Sequence, residues 1–355
     1  MTRGNPCETA PSGYLGRVLS PLHRGLAAAC LVVATAAFAA EPPPPWAYGF
    51  KQPPPPDTAQ VSPGKAGPAP TDPARYGVPG TDRQFTRAEI TNIFGPADYF
   101  PEEHPAPPDI VAHGKAPIVW SCARCHYYNG QGRPENAGIA GLPVEYFVAQ
   151  MLAFRNGERH SSDPRKPNTP MMVEFAQNMT DAEIRAAAEY YGAQPWRPWI
   201  RVVETDRAPQ TTISAGMYLQ VPTGGDEPLG DRIIEVPEDA NAVEIQRDPH
   251  VGFIAYAPIG SIKRGEELVT TGGGKTILCA ACHGPDLNGM TIPNVGIMPG
   301  LAGRSPSYIV RQLFDIQSGK RHNQATGLMK PVVANLTTAD MLAIAAYLAS
   351  RTPKP

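Results

Sequence analysis

Cys122-Ala123-Arg124-Cys125-His126, met again as Cys279-Ala280-Ala281-Cys282-His283, is the stretch on which the reading of this chain turns. Two thiols flanking two residues, with a histidine directly after, are what covalent haem attachment requires. Each sulfur forms a thioether bond to a porphyrin vinyl group, and the adjacent imidazole binds the iron. Paired zinc clips would also use Cys-x-x-Cys, but such pairs sit about 15 to 20 residues apart. These motifs start at 122 and 279, a separation of 157 residues. Two covalently bound haem c groups are therefore expected, held by Cys122, Cys125, Cys279 and Cys282, with His126 and His283 on the irons.

The remaining cysteines fit the same reading. Only Cys7 and Cys30 lie outside the motifs, in a stretch with Arg17 and Arg24 ahead of an apolar run from Leu26 to Phe38 and small residues at Ala37 and Ala39. Residues 1–39 read as a secretory signal. The apolar run is shorter than the roughly 20 residues that span a bilayer, so membrane association is expected only if this segment stays uncleaved. An exported chain with covalent haem is expected in the periplasm. The formal net charge is −2 and no basic tract points to nucleic acid.

Composition divides the 355 residues. Residues 40–85, with proline runs at Pro42 to Pro45 and Pro53 to Pro56, read as a semi-rigid linker with little to form a core. A first haem domain is expected over 86–199, opening on the capping-box pattern Thr86-x-x-Glu89. A second is expected over 262–355. Between them, residues 200–261 contain short β-prone runs separated by Pro, Gly and Asp, with ten acidic against four basic side chains. The fold class expected is mainly α: two helical haem domains joined by a short β-rich acidic insert.

The two haem segments are copies. Ile139-Ala140-Gly141, Tyr146, Gln150, Phe154, Gly157, Arg159 and His160 match Leu301-Ala302-Gly303, Tyr308, Gln312, Ile316, Gly319, Arg321 and His322 at a constant offset of 162. Tyr146, Gln150 and Phe154 lie four apart, as do their counterparts, so each set marks one stripe of a helix that a glycine stops. Thr180 with Glu183, and Thr337 with Asp340, open the closing helices.

The repeat also nominates the sixth iron ligands. Met172 stands 46 residues after His126 and Met329 stands 46 after His283, each in an expected loop seven residues before a closing helix. A thioether ligand favours ferrous iron and raises the reduction potential. Met171 is the rival of Met172, and His160 and His322 are the alternative imidazole ligands. Arg159 and Arg321 are candidates for bidentate hydrogen bonds to haem propionates, against the alternative of solvent-exposed arginines at helix ends.

With these motifs in view the chain resembles a tandem class I cytochrome c, similar to the periplasmic di-haem electron carriers, over about 86–199 and 262–355. The resemblance implies an all-helical fold around each haem and a proline carbonyl that accepts the N–H of the haem histidine. Pro299 stands at that position in the second copy; Ala137 replaces it in the first, leaving a different acceptor, such as the carbonyl of Ala137 itself. The expected function is single-electron relay between a dehydrogenase or quinol-side cytochrome complex and a downstream acceptor, with no substrate transformed. The alternatives are a haem enzyme, of the di-haem peroxidase or thiosulfate-oxidising type, and a fixed cytochrome subunit of a dehydrogenase complex. From Ile262 onward there are ten basic and five acidic residues, against 18 and 27 in 40–261. That imbalance predicts the higher potential at the second haem.

Overall fold

The computed structural model describes residues 41–54, 67 and 69–354. The expected signal, residues 1–39, and part of the Pro53–Pro56 run lie outside the described residues. In the first domain a one-turn helix, Ala123–His126, is followed by α1 (Val144–Arg155), α2 (Asn168–Asn178) and α3 (Asp181–Gly192). The second domain adds α4 (Ser261–Thr271), a second one-turn helix at Ala280–His283, α5 (Pro306–Gln317) and α6 (Thr338–Ala349).

The closing helices start where their caps dictate. Thr180 Oγ1 accepts the Glu183 N–H at 3.2 Å while the Glu183 carboxylate accepts the Thr180 N–H at 2.6 Å. Thr337 and Asp340 repeat this at 3.2 and 3.0 Å. Each cap contributes roughly 1 kcal/mol. In α3 one face is buried, through Ile184, Ala187, Ala188, Tyr190 and Tyr191, whereas α6 is buried from Asp340 to Ala349. An all-buried helix needs neighbours on every side, and α6 packs on α4, α5 and β1 (Ile200–Glu204). Gly265 makes the α4 crossing possible: a Cβ there would lie 2.0 Å from the Ala343 carbonyl oxygen.

Strands are more abundant than a mainly α chain allows, with 36% helix and 15% strand. The residues between the domains supply most of them. β1 pairs in parallel with β3 (Phe253–Ala257), which pairs antiparallel with β2 (Ile234–Pro237). The sheet order is β1-β3-β2. A parallel neighbour cannot be reached by a tight turn, so the intervening chain loops out through the hairpin of Thr211–Ser214 with Met217–Gln220 and returns.

The linker expectation for 40–85 needs correction. Trp46 and Tyr48 are 7% and 1% exposed and join the second domain's core. Tyr48 Oη donates to Asp315 Oδ1 at 2.9 Å, and Arg311 Nη1 donates to the Ala47 carbonyl at 2.6 Å. Proline richness concealed this because Trp46-Ala47-Tyr48 is short: the prolines pre-set an extended approach and the aromatic side chains fill a gap in a core formed elsewhere. Farther on, Arg75–Gly77 pairs with Gln84–Thr86.

The two domains meet across a network with approximate two-fold symmetry. Arg159 and Arg321 form an isolated antiparallel bridge. The His160 N–H donates to the Lys320 carbonyl at 2.7 Å, and the His322 N–H to the Glu158 carbonyl at 2.9 Å. Arg159 donates to Gln150 at 3.1 Å in its own domain and to Gln312 and Tyr308 across the interface at 2.9 and 3.2 Å. Arg321 mirrors it, donating to Gln312 at 2.9 Å and across to Gln150 and Tyr146 at 2.7 and 3.0 Å.

Candidate haem centres

The first motif is held by the backbone around it. Ser121 Oγ donates to the Val111 carbonyl at 2.6 Å, and Cys122 Sγ lies 3.3 Å from the Ile110 carbonyl. His126 Nδ1 is 2.8 Å from the Ala137 carbonyl oxygen. In the second motif His283 Nδ1 is 2.8 Å from the Pro299 carbonyl oxygen. Each bond fixes the ring and leaves Nε2 as the nitrogen available to a metal. Burial lowers both imidazole pKa values, which favours the neutral, ligating form.

Sequence reasoning missed the glycines that bring these carbonyls into place. Gly132 and Gly289 each stand six residues after the histidine, and each donates its N–H to the histidine carbonyl, at 3.0 and 2.9 Å. Both are in the left-handed region, with φ of 69° and 88°. A Cβ at Gly132 would lie 2.5 Å from the Ala137 oxygen, and one at Gly289 would lie 2.6 Å from the Met298 oxygen. The signal was present, since the spacing from histidine to glycine is identical in the two copies.

A cleft opens beside the first motif. Its apolar lining includes Ile139, Phe147, Met151 and Phe175, with Cys122, Cys125 and His126. A second set of lining residues is polar: Tyr146, Gln150, Arg159, Tyr308 and Gln312 belong to the interface network. Two thiols, an imidazole with one nitrogen engaged, apolar walls and a polar margin fit a haem, whose ring is apolar and whose propionates are charged. Met171, Met172 and His160 all line this cleft. Met172 does not stand in a loop, as expected, but in the first turns of α2; Met329 ends a 3-10 segment, Gln324–Met329. His322 is exposed, with Nδ1 3.1 Å from the Gly319 carbonyl oxygen.

Arg159 and Arg321 are not the solvent-facing helix-end arginines of the alternative reading. They are 8% and 6% exposed because the turn that carries them is covered by the other domain. Lys166 shares the first cleft, and burial, then Arg311, push its ammonium down to about 7.

The two centres differ in their immediate surroundings. Around the first, Arg133 pairs with buried Glu135, and Arg247, from the segment between the domains, donates to the carbonyl of Arg124 inside the motif. Arg247 adopts φ 56° and ψ 42°, a left-handed conformation that costs an arginine roughly 1 to 2 kcal/mol. It also sits 5.1 Å over the Tyr127 ring. Around the second, five additional residues between Gly289 and Pro299 build the hairpin of Met290–Ile292 with Gly296–Met298. Ile277, Leu278, Met290, Val295 and Leu328 are exposed there.

Comparison with known proteins agrees with this construction. The cytochrome c family model matches residues 111–191 and 262–352. The chain is 40% identical over 233 residues to cytochrome c-552 of Acidithiobacillus ferridurans, covering 64% of this chain and 73% of that one. It is 26% identical over 242 residues to the thiosulfate dehydrogenase electron acceptor of Thiomonas intermedia, covering 67% and 82%. The solved cytochrome c4 of Acidithiobacillus ferrooxidans aligns with a TM-score of 0.40 at 25% identity, over 64% of this chain and 97% of that one.

Proposed function

This chain belongs to the cytochrome c family and carries two covalently bound haems, and we propose that it is a periplasmic carrier of single electrons from a dehydrogenase to a downstream acceptor. The haems supply reversible one-electron exchange between ferric and ferrous iron. The observation that carries the reading is the shared interface network. Arg159, Arg321, Gln150 and Gln312 bind one another across the domain boundary, so the two centres are held in one body and their separation is fixed. A fixed separation suits internal electron transfer.

In this reading Cys122, Cys125, Cys279 and Cys282 anchor the porphyrins, while His126 with Met172, and His283 with Met329, ligate the irons. Met172 lines the first cleft, and Met329 and Cys279 both pack against the second domain's core. Arg159 reaches a propionate from the margin of the first cleft, and Arg321 takes the corresponding role at the second centre. The donor is a thiosulfate dehydrogenase or a similar enzyme, which is supported by the relative whose name states that role. Stopped-flow mixing of the oxidised di-haem protein with such a dehydrogenase and its substrate should reduce two haems per chain. Ferric spectra should show methionine-to-iron charge-transfer absorption equivalent to two sites. Absence of reduction by any tested dehydrogenase, or turnover of thiosulfate or peroxide by the isolated chain, would defeat the carrier reading.

One observation favours catalysis at the first centre as the second reading. Three candidate sixth ligands, Met171, Met172 and His160, line one cleft there. A labile ligand would show as a high-spin ferric signal and rapid carbon monoxide binding at one haem only.

A further inference from the structure

The structure assigns the segment between the domains a part in setting the redox chemistry, in that Arg247, brought against the first Cys-x-x-Cys-His motif, raises the reduction potential of the first haem. This rests on haem attachment at Cys122 and Cys125 and not on the identity of any partner.

The side chain of Arg247 is 6% exposed, and one of its terminal nitrogens donates to the carbonyl of Arg124, a residue between the two attachment cysteines. Arg133, 8% exposed, stands seven residues after His126, and its charge is matched by Glu135, 3% exposed. Arg124 itself is the third cation, with its Nε buried and unpartnered. Arg124 directly precedes Cys125, the sulfur of one thioether bond, and Arg247 is bonded to the carbonyl between them. Three cations against two carboxylates, Glu135 and the 6% exposed Asp248 that follows Arg247, still leave a net positive charge in a region that water screens poorly.

Oxidation of a haem adds one positive charge, so a buried cation beside it disfavours the ferric form and raises the potential. The second motif lacks these three cations: Ala281, Gly284 and Met290 occupy the positions of Arg124, Tyr127 and Arg133. The buried Arg304 donates to Gly300, next to Pro299, but also to Gly138 and Ala140 on either side of Ile139 in the first domain, so it stands between the two centres and does not distinguish them. The counts of surface charge, which predicted the higher potential at the second haem, are therefore opposed by fixed charges much nearer the first. Surface charges are screened within about 10 Å at 0.1 M salt; a buried guanidinium is not.

Holding Arg247 there is costly for the chain. Its backbone is left-handed, and burial together with Arg133 lowers its affinity for the proton. Three further contacts keep it in position: Asn129 Nδ2 donates to the Pro249 carbonyl at 3.1 Å, Gln131 Nε2 donates to the Val251 carbonyl at 3.2 Å, and the Arg247 guanidinium covers Tyr127.

The test is spectroelectrochemical titration of the di-haem protein and three variants. Arg247→Met should shift the ferrous-to-ferric ratio of one titration step about tenfold toward ferric, about 59 mV for one electron, and leave the other step in place. Arg247→Lys keeps the charge and should retain most of the wild-type potential. Glu135→Gln, nearly isosteric, removes the carboxylate that pairs with Arg133 and should move the same step in the opposite direction, which looser packing around the haem would not do. The shifts should persist at 0.5 M salt. The proposal is overturned if Arg247→Met moves neither step or both alike, if Lys and Met shift the step equally, or if Glu135→Gln lowers it. Should Arg247→Met fail to fold, Glu135→Gln alone decides the sign.

Discussion

The first and second haem domains share a repeat, yet the chain surrounds them differently. At the first, the connecting segment packs on the motif, buries Arg133 and Arg247 beside it and ties down the loop that carries Ala137. At the second, five added residues form a hairpin and five large apolar side chains remain exposed around the motif. Copying preserved what haem attachment needs: the cysteines, the histidine, the glycine six residues on and a carbonyl acceptor. It did not preserve the buried arginines beside the motif or the surface around it. A repeat thus specifies the attachment chemistry, while its departures give two identical cofactor sites different surroundings.

The largest effect should come from removing one attachment site. Replacing Cys279 and Cys282 with serine should lower the haem content from two to one per chain by intact mass, and the retained haem should titrate with a single potential. Next, Trp46→Ala should destabilise the second domain by about 3 to 5 kcal/mol. Denaturant melts followed at the two haems would then separate, and a uniform loss would mean that the domains unfold as one unit.

Arg159→Met and Arg321→Met should each cost about 1 to 3 kcal/mol, because each removes three buried hydrogen bonds and leaves one tyrosine oxygen, Tyr308 or Tyr146, without its donor, while both glutamine oxygens keep the other arginine. Near-equal losses are expected from the two-fold network. A clearly unequal pair would show that one copy carries the interface.

The smallest contrast lies in the two capping boxes. Asp340 is fully buried and is also paired with Lys275 at 2.6 Å and with Arg264, whereas Glu183 is partly exposed and meets only Lys115 at 3.3 Å. Asp340→Asn should cost about 2 kcal/mol and Glu183→Gln less than about 1 kcal/mol. Although burial opposes ionisation of Asp340, its hydrogen bonds from Lys275 and Arg264 hold the carboxyl below the usual carboxylate range. Its stabilisation is therefore complete above about pH 4, the unfolded aspartate value, and is lost as pH falls toward the lower folded one. Between about pH 4 and pH 2 the stability of the wild type should fall more steeply than that of Asp340→Asn.

Much of this arrangement was legible in sequence. The motifs announce covalent chemistry at fixed spacing, and the four-residue stripes through Gln150 and Gln312 locate α1 and α5. What those glutamines bind was not legible. For Arg159 and Arg321 the sequence offers either haem propionates or solvent at a helix end; that they are buried follows only from the meeting of the two copies, residues 153 and 171 apart in the cross-domain hydrogen bonds. Arg247 was hidden for the same reason. It lies in an acidic stretch, 123 residues from the carbonyl it binds, and composition averages its charge away. Pro167 and Pro170 suggest a loop around Met172, but proline is tolerated in the first turn of a helix, and α2 begins at Asn168.

The Trp46-Ala47-Tyr48 wedge has a consequence for the order of folding. It docks on α5, and the Arg311 to Ala47 bond closes a loop of 264 residues. At about 5 to 20 residues per second of synthesis, the wedge is made roughly 13 to 50 s before the last of the residues that bond it. During that interval two aromatic side chains near the beginning of the chain have no native place to go. Proline on both sides of them, at Pro42 to Pro45 and Pro53 to Pro54, discourages their recruitment into intermolecular strands. The same prolines that disguise the segment as a tail can thus protect it while it waits.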